Sequence, residues 1–174
     1  LIQNKQQART VELGFVGSLK SGVYSARKAF LEQLAELEPL EVVRTNSGQD
    51  YVDKLNSIRF FISADIGMGE YMIKNFEAMA AGCVLFAWRQ QHGEEEALGL
   101  NDMKNIVLYN SIDELRQKLA HLRNNPQLAE QIAQQGQAWV EQQYSFEALG
   151  RKVVEAISAP LRQQTPLSLW QRLF

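Results

Sequence analysis

The chain has 174 residues, 45% of them hydrophobic and 22% charged, with a net charge of −2. Such a composition describes one globular domain with volume for a sizeable core, and its charge argues against an electrostatic partner such as DNA or RNA. The only cysteine, Cys83, rules out an internal disulfide and suits a reducing, cytoplasmic compartment.

The longest apolar run, Ala78 to Trp88, is too short to cross a bilayer, and no signal peptide is visible. The first residue is Leu1 rather than methionine, so the chain is expected to be a fragment of something longer.

Taken in order, Leu1 to Arg9 is polar and glutamine-rich and reads as a leader or linker. Val11 to Gly17 reads as a first strand, and Ser18 to Gly22 as a loop. A helix is predicted from about Tyr24 to Leu37, where Ala26, Phe30, Leu34 and Leu37 recur at helical spacing, and Pro39 ends it. Leu40 to Arg44 is a second strand, Thr45 to Asp50 a polar loop, Tyr51 to Asn56 a short helix and Arg59 to Ser63 a third strand. Asp65 to Glu70 is a glycine-bearing loop.

The stretch from Met72 to Trp88 is the most informative. Ile73, Phe76 and Ala80 recur at helical spacing, flanked by Met72 and Met79, so a short helix is expected. Gly82 sits where a helix end needs a left-handed residue. The residues from Cys83 to Trp88 carry almost no polar side chain, as a strand covered on both faces requires. Glu77 stands at the edge of the apolar stripe, beside Ala78 and Ala81, which are small enough to let a ligand come close. A carboxylate there could accept hydrogen bonds from two neighbouring hydroxyls, such as those of a sugar ring. The plainer alternative is a solvated glutamate paired with Lys74 one turn earlier.

Arg89 to Gly99 reads as a charged loop or short helix, with Glu94-Glu95-Glu96 a solvated run bordering the same region. Asn105 to Tyr109 is the last strand. Ser111 caps a helix running to about Arg123, with Glu114 at the capping-box position. Asn125-Pro126 opens another helix, to about Tyr144, and Ser145 caps a third through Ile157. Strands alternating with helices predict an α/β fold: a Rossmann-like doubly wound parallel sheet, its helices clustered toward the C-terminal end. Residues 1–157 form the domain. Residues 158–174, broken by Pro160 and Pro166 and rich in apolar side chains, read as a tail that covers a surface. That surface is a domain outside this chain or, as the alternative, a membrane.

In an open parallel sheet, ligands bind beyond the carboxyl ends of the strands where the strand order reverses. If the first and fourth spatial positions meet there, the loop Gly17 to Gly22 faces the loop Gly67 to Tyr71. Glycines let backbone amides approach phosphate oxygens, a helix N-terminus favours an anion, and Lys20 and Lys74 supply full charges. Neither a P-loop nor a dinucleotide fingerprint is present. With His92 and His121 the only histidines and Cys83 in a predicted buried strand, no metal ligand set assembles. His92 reads as an exposed loop residue, and Trp139 and Tyr144 as core.

With these residues assembled, the chain resembles the nucleotide-sugar-binding C-terminal half of GT-B fold glycosyltransferases, in particular the group 1 set and its spore-maturation-like relatives. The resemblance runs over most of Val11 to Ile157. It rests on Phe15-Val16-Gly17-Ser18 followed by Arg27, on Tyr51 to Asn56 before Phe60 to Ser63, and most specifically on Phe76-Glu77-Ala78-Met79-Ala80-Ala81-Gly82. Ser111 to Leu115, Asn125-Pro126, Ile132 to Gly136 and Tyr144-Ser145-Phe146 complete the ordered set.

The resemblance implies a metal-independent hexosyltransferase using a UDP- or GDP-type sugar donor, with no other cofactor. Glu77 would hold the nucleotide ribose. The loop around Gly17 and Ser18, and the start of the Glu77 helix, would cradle the diphosphate, with Lys20 and Lys74 as cations. The Arg44 to Asp50 loop would lie against the base. The family often carries a second glutamate eight positions before the first, against the donor sugar. Here that position is Gly69, so either Glu70 substitutes through a loop shift or the sugar is recognised differently. Glu70 and Lys74 are the candidate catalytic groups. A glycan or glycoconjugate acceptor would be held by an N-terminal half outside this chain, in an enzyme working in the cytoplasm or at the inner face of a membrane, so the isolated piece should transfer nothing efficiently. The competing class is a non-catalytic transferase-like binding or assembly module, and a flavodoxin-like or regulatory domain is the third.

Overall fold

A computed structural model describes residues 2–20, 22–67 and 69–160 of the chain. Its parallel strands form one five-stranded sheet: β1 (Val11–Val16), β2 (Leu40–Val43), β3 (Ile58–Ser63), β4 (Val84–Trp88) and β5 (Val107–Tyr109), in the order β2-β1-β3-β4-β5. The helices are α1 (Ser25–Ala35), α2 (Gln49–Ser57), α3 (Ile73–Ala80), α4 (Glu94–Leu98), α5 (Ile112–Asn124), α6 (Pro126–Tyr144) and α7 (Phe146–Ser158). This is the doubly wound, Rossmann-like α/β architecture expected from the alternation of strands and helices.

Period-two alternation sends strand side chains to opposite faces, and here both faces are covered. Leu13, Phe15, Phe60, Ile62, Val84, Phe86, Val107 and Tyr109 pack with Phe30, Leu31 and Leu34 of α1 and with Leu115, Leu119 and Leu122 of α5. Val16, Ile58, Phe61, Leu85, Ala87 and Leu108 pack with Leu55 of α2, with Ala78 and Met79 of α3, and with Val140 of α6. The C-terminal helices start as their sequences dictate. Ser111 Oγ accepts from the Glu114 amide at 3.1 Å, Pro126 opens α6, and Ser145 Oγ accepts from the Ala148 amide at 3.2 Å.

Several expectations are corrected. The two glycine-bearing loops follow β1 and β3, the second and third strands in space rather than the first and fourth. The predicted apolar stripe of α3 is rotated: Ile73 is 75% exposed, and Asn75, Ala78 and Met79 take the buried face. The Glu94-Glu95-Glu96 run is not solvated throughout. Glu95 is buried because Tyr71 Oη and the Gln90 amide donate to its Oε1 at 2.8 and 2.9 Å.

Residues 2–9 lack regular structure yet are tied down. Arg9 Nη1 donates to the carbonyls of Leu55, Asn56 and Ile58, and its Nη2 donates to Ala81 O at 2.6 Å. A leader by composition is therefore a clasp by structure. The tail beyond Pro160 lies outside the described residues.

Candidate functional site

The strand order reverses between β1 and β3, so a crevice opens beyond their carboxyl ends. A cleft of about 880 Å³ lies on that side. Val16, Gly17 and Ser18 after β1 form one wall, Arg44 to Gly48 after β2 another, and Tyr51, Lys74 and Glu77 project from the helices.

Helix α3 is aimed by both of its ends. At its start Met72 is extended and carries no side-chain cap, and the Met72 amide reaches Asp65 Oδ2 at 3.4 Å. At its end the Gly82 amide bonds to Met79 O and the Cys83 amide to Ala78 O, at 2.9 and 3.0 Å. This is the paired closure that a left-handed glycine makes, and Gly82 has φ +78°. The chain then turns directly into β4.

Beneath the start of α3 lies a buried polar knot. Arg27, from α1, pairs with Asp65 at 3.2 Å, both side chains almost wholly buried. Arg27 Nε donates to Ala64 O, and its guanidinium lies 4.4 Å from the Tyr24 ring centroid. Asp65 Oδ2 also accepts from Ser63 Oγ and Asn75 Nδ2, each at 2.8 Å. This knot fixes the loop after β3 to α1 and α3.

Lys74, in the first turn of α3, reaches back to β1. Its ammonium donates to Val16 O at 3.1 Å and stands 5.1 Å from the Phe15 ring centroid. A side chain on Gly17 would strike that ammonium and come within 2.9 Å of the Phe15 ring. Burial first, and then the Arg27 charge, hold the Lys74 pKa below the ordinary lysine value. Glu77 does not take up the expected pairing with Lys74. Its Oε2 accepts instead from Tyr51 Oη of α2, at 2.6 Å. Burial, and next this bond, push the Tyr51 phenol far above its usual range, so it stays a donor.

Of the residues singled out in the sequence, Gly17, Ser18, Lys74 and Glu77 come together in the cleft. Lys20 is exposed on the loop after β1, and Gly69 and Glu70 are exposed after β3; none of the three lines the cleft. Tyr51, part of the segment that carries the resemblance, was given no place in the site. The usable signal was a hydrogen-bonding ring one turn before Leu55, just past a glycine-broken loop. Cys83, expected in the strand, instead lies buried in the turn just before β4, and burial pushes its thiol up to about 12. Among the described residues, no group of three or more His, Cys, Asp or Glu side chains is placed to hold a metal, and no helix is long and apolar enough to cross a membrane.

A doubly wound parallel sheet with a carboxylate and an ammonium in the cleft at its switch point defines a Rossmann-like α/β domain. More particularly, the chain belongs to the glycosyl transferase-like family, whose model matches residues 6–155. Its fold is that of the C-terminal half of GT-B glycosyltransferases. No curated protein matches it. Among solved structures it is similar to the C-terminal domain of the group 1 glycosyltransferase LpcC from Francisella tularensis, at 16% identity and TM-score 0.59, covering 83% of this chain and 96% of that one. It is also similar to a glycosyltransferase from Rickettsia africae, at 19% identity and TM-score 0.61, covering 84% of this chain and 39% of that one. A variant of TarM from S. aureus, in complex with fondaparinux, alpha-GlcNAc-glycerol and UDP, is similar at 15% identity and TM-score 0.62. There the match covers 90% of this chain and 37% of that one, so the chain spans well under half the length of these last two structures.

Proposed function

We propose that the chain is the donor-binding domain of a glycosyltransferase that moves a hexosyl group from a UDP- or GDP-linked sugar to a glycan or glycoconjugate acceptor. Family membership supports glycosyl transfer as the general class. The carrying observation is the state of Glu77: it faces a cleft at the switch point, and its hydrogen bond is to one phenol rather than to Lys74. In this reading Glu77 accepts from the ribose hydroxyls. The Gly17 amide is held by Val43 O, so the Ser18 amide, the start of α3 and Lys74 take the diphosphate, and the exposed Lys20 adds a second cation. As the bond to the sugar breaks, negative charge grows on the departing diphosphate. Fixed amides, a helix end and an ammonium stabilise that charge without a metal.

Calorimetric titration with uridine, guanosine, adenosine and cytidine diphosphates tests the reading. At least one should bind saturably, and more tightly than its 2′,3′-dideoxy counterpart. Silence from all four at millimolar concentrations would overturn it.

A second reading, a non-catalytic binding module, draws on one observation: neither Gly69 nor Glu70 lines the cleft. Under it, the sugar on a nucleotide-sugar donor adds no affinity over the diphosphate alone. Under the first, Glu70 approaches the sugar and the donor binds more tightly.

The depressed pKa of Lys74 gives a pH dependence with a definite sign. A lowered lysine sheds its proton earlier as pH rises, and a bound anion would pull that pKa back up. Diphosphate affinity should therefore be full below the Lys74 pKa of the free domain and decline above it, starting short of the ordinary 10.5. Titrations across the alkaline range should show this slope, and Lys74→Met should flatten it. The same slope in the variant would assign the effect elsewhere.

A further inference from the structure

We infer that Tyr51 is a specificity-determining partner of Glu77: the two side chains together, rather than the glutamate alone, form the acceptor pair that reads a vicinal diol on the bound nucleotide. The inference rests on the ribose role proposed for Glu77. Tyr51 and Glu77 come from different helices, 26 residues apart, and meet inside the cleft through a 2.6 Å hydrogen bond. Both are half-buried, so each side chain is held by protein on one side and open to the cleft on the other.

The chemistry follows from counting donors and acceptors. A phenol has one proton to give, and here it goes to Oε2 of Glu77. That bond fixes the plane of the carboxylate and leaves Oε1 for a ligand. The phenol oxygen keeps its lone pairs, and donating to a carboxylate makes it a better acceptor. A ribose diol presents two O–H donors side by side. Oε1 of Glu77 and Oη of Tyr51 are two acceptors from one rigid pair. A deoxyribose would leave one of them without its hydrogen bond, which is how a polar site rejects an analogue lacking a hydroxyl.

The test is a set of titrations of this chain with uridine diphosphate, guanosine diphosphate and the 2′,3′-dideoxy counterpart of each. The readout is the ratio of ribo to dideoxy affinity. Tyr51→Phe keeps the ring and its packing, and should lower that ratio by roughly five- to tenfold, the value of one hydrogen bond between neutral groups. In the Glu77→Ala background, adding Tyr51→Phe should change the ratio no further. Equal loss for ribo and dideoxy ligands in Tyr51→Phe would make the tyrosine a merely structural residue and overturn the inference. Tighter ribonucleotide binding in Tyr51→Phe would also overturn it, because the phenol would then be a plug that ligand must displace. If Glu77→Ala collapses the ratio while Tyr51→Phe leaves it intact, only the tyrosine's part fails. If Glu77→Ala leaves the ratio intact, the ribose role of the glutamate fails as well.

Discussion

Replacing Arg27 with alanine is expected to cost the domain about 3–5 kcal/mol of stability, because it strands a buried partner charge. Asp65 is 1% exposed and would keep its bonds from Ser63 and Asn75 but lose its counter-ion. The variant would also empty the space between the Tyr24 and Phe15 rings that the guanidinium fills. For a domain of this size the midpoint of thermal unfolding should fall by about 6–20 °C. Adding Asp65→Asn removes the stranded charge and should recover part of the loss. Urea denaturation of the single and double variants checks this. A loss under about 1 kcal/mol, the range of exposed pairs, would mean that water reaches the pair and that the knot does not hold the loop.

Gly136→Val is expected to be the other strongly destabilising change. Glycine inside a helix ordinarily weakens it by about 1 kcal/mol relative to alanine, so its removal would seem a gain. Here the gain is outweighed. A side chain at Gly136 would lie 2.7 Å from the Asn105 carbonyl oxygen and 3.2 Å from Met79 Cε. The carbonyl belongs to backbone and cannot swing away, so α6 would be lifted off α3 and the segment entering β5. Overpacking of this kind costs about 1–3 kcal/mol, and valine's branched side chain adds to it. Gly150 in α7 is the control, since nothing lies within 4 Å of a side chain built there. Gly150→Ala should be neutral or gain up to about 1 kcal/mol. Chemical denaturation of both variants decides the matter, and equal effects would show that the close approach of α6 is not maintained in solution.

Legibility in the sequence followed the range of the interaction. The fold was read from local signals: Ser111, Pro126, Ser145 and Gly82 each act within their own turn, and each sits where its chemistry put it. Glu77 could be singled out because small neighbours flank it along the chain. Partners that meet only after folding left no such trace. Arg27 and Asp65 are 38 residues apart, and nothing in either neighbourhood announces a buried pair. Glu95 looked like one member of a charge run because Tyr71, 24 residues earlier, is invisible from it. Ile73 was placed in the apolar stripe because spacing alone fixes the period of a helix and leaves its rotation open. The site role of Tyr51 was hidden for the same reason as that of Asp65: its partner lies on another helix.

The clasp formed by Arg9 bears on how a net-negative chain could draw in an anion at all. Helices α2 and α3 both begin beside the cleft and both finish at the opposite edge of the sheet, where Arg9 meets the carbonyls of Leu55, Asn56 and Ala81. Each helix is a small battery, positive toward the ligand and negative at its far terminal. With a guanidinium grounding the far terminals, the field of the near ones is less cancelled, and it adds to the ammonium of Lys74. The overall charge of −2 therefore says little about the voltage an incoming pyrophosphate would meet.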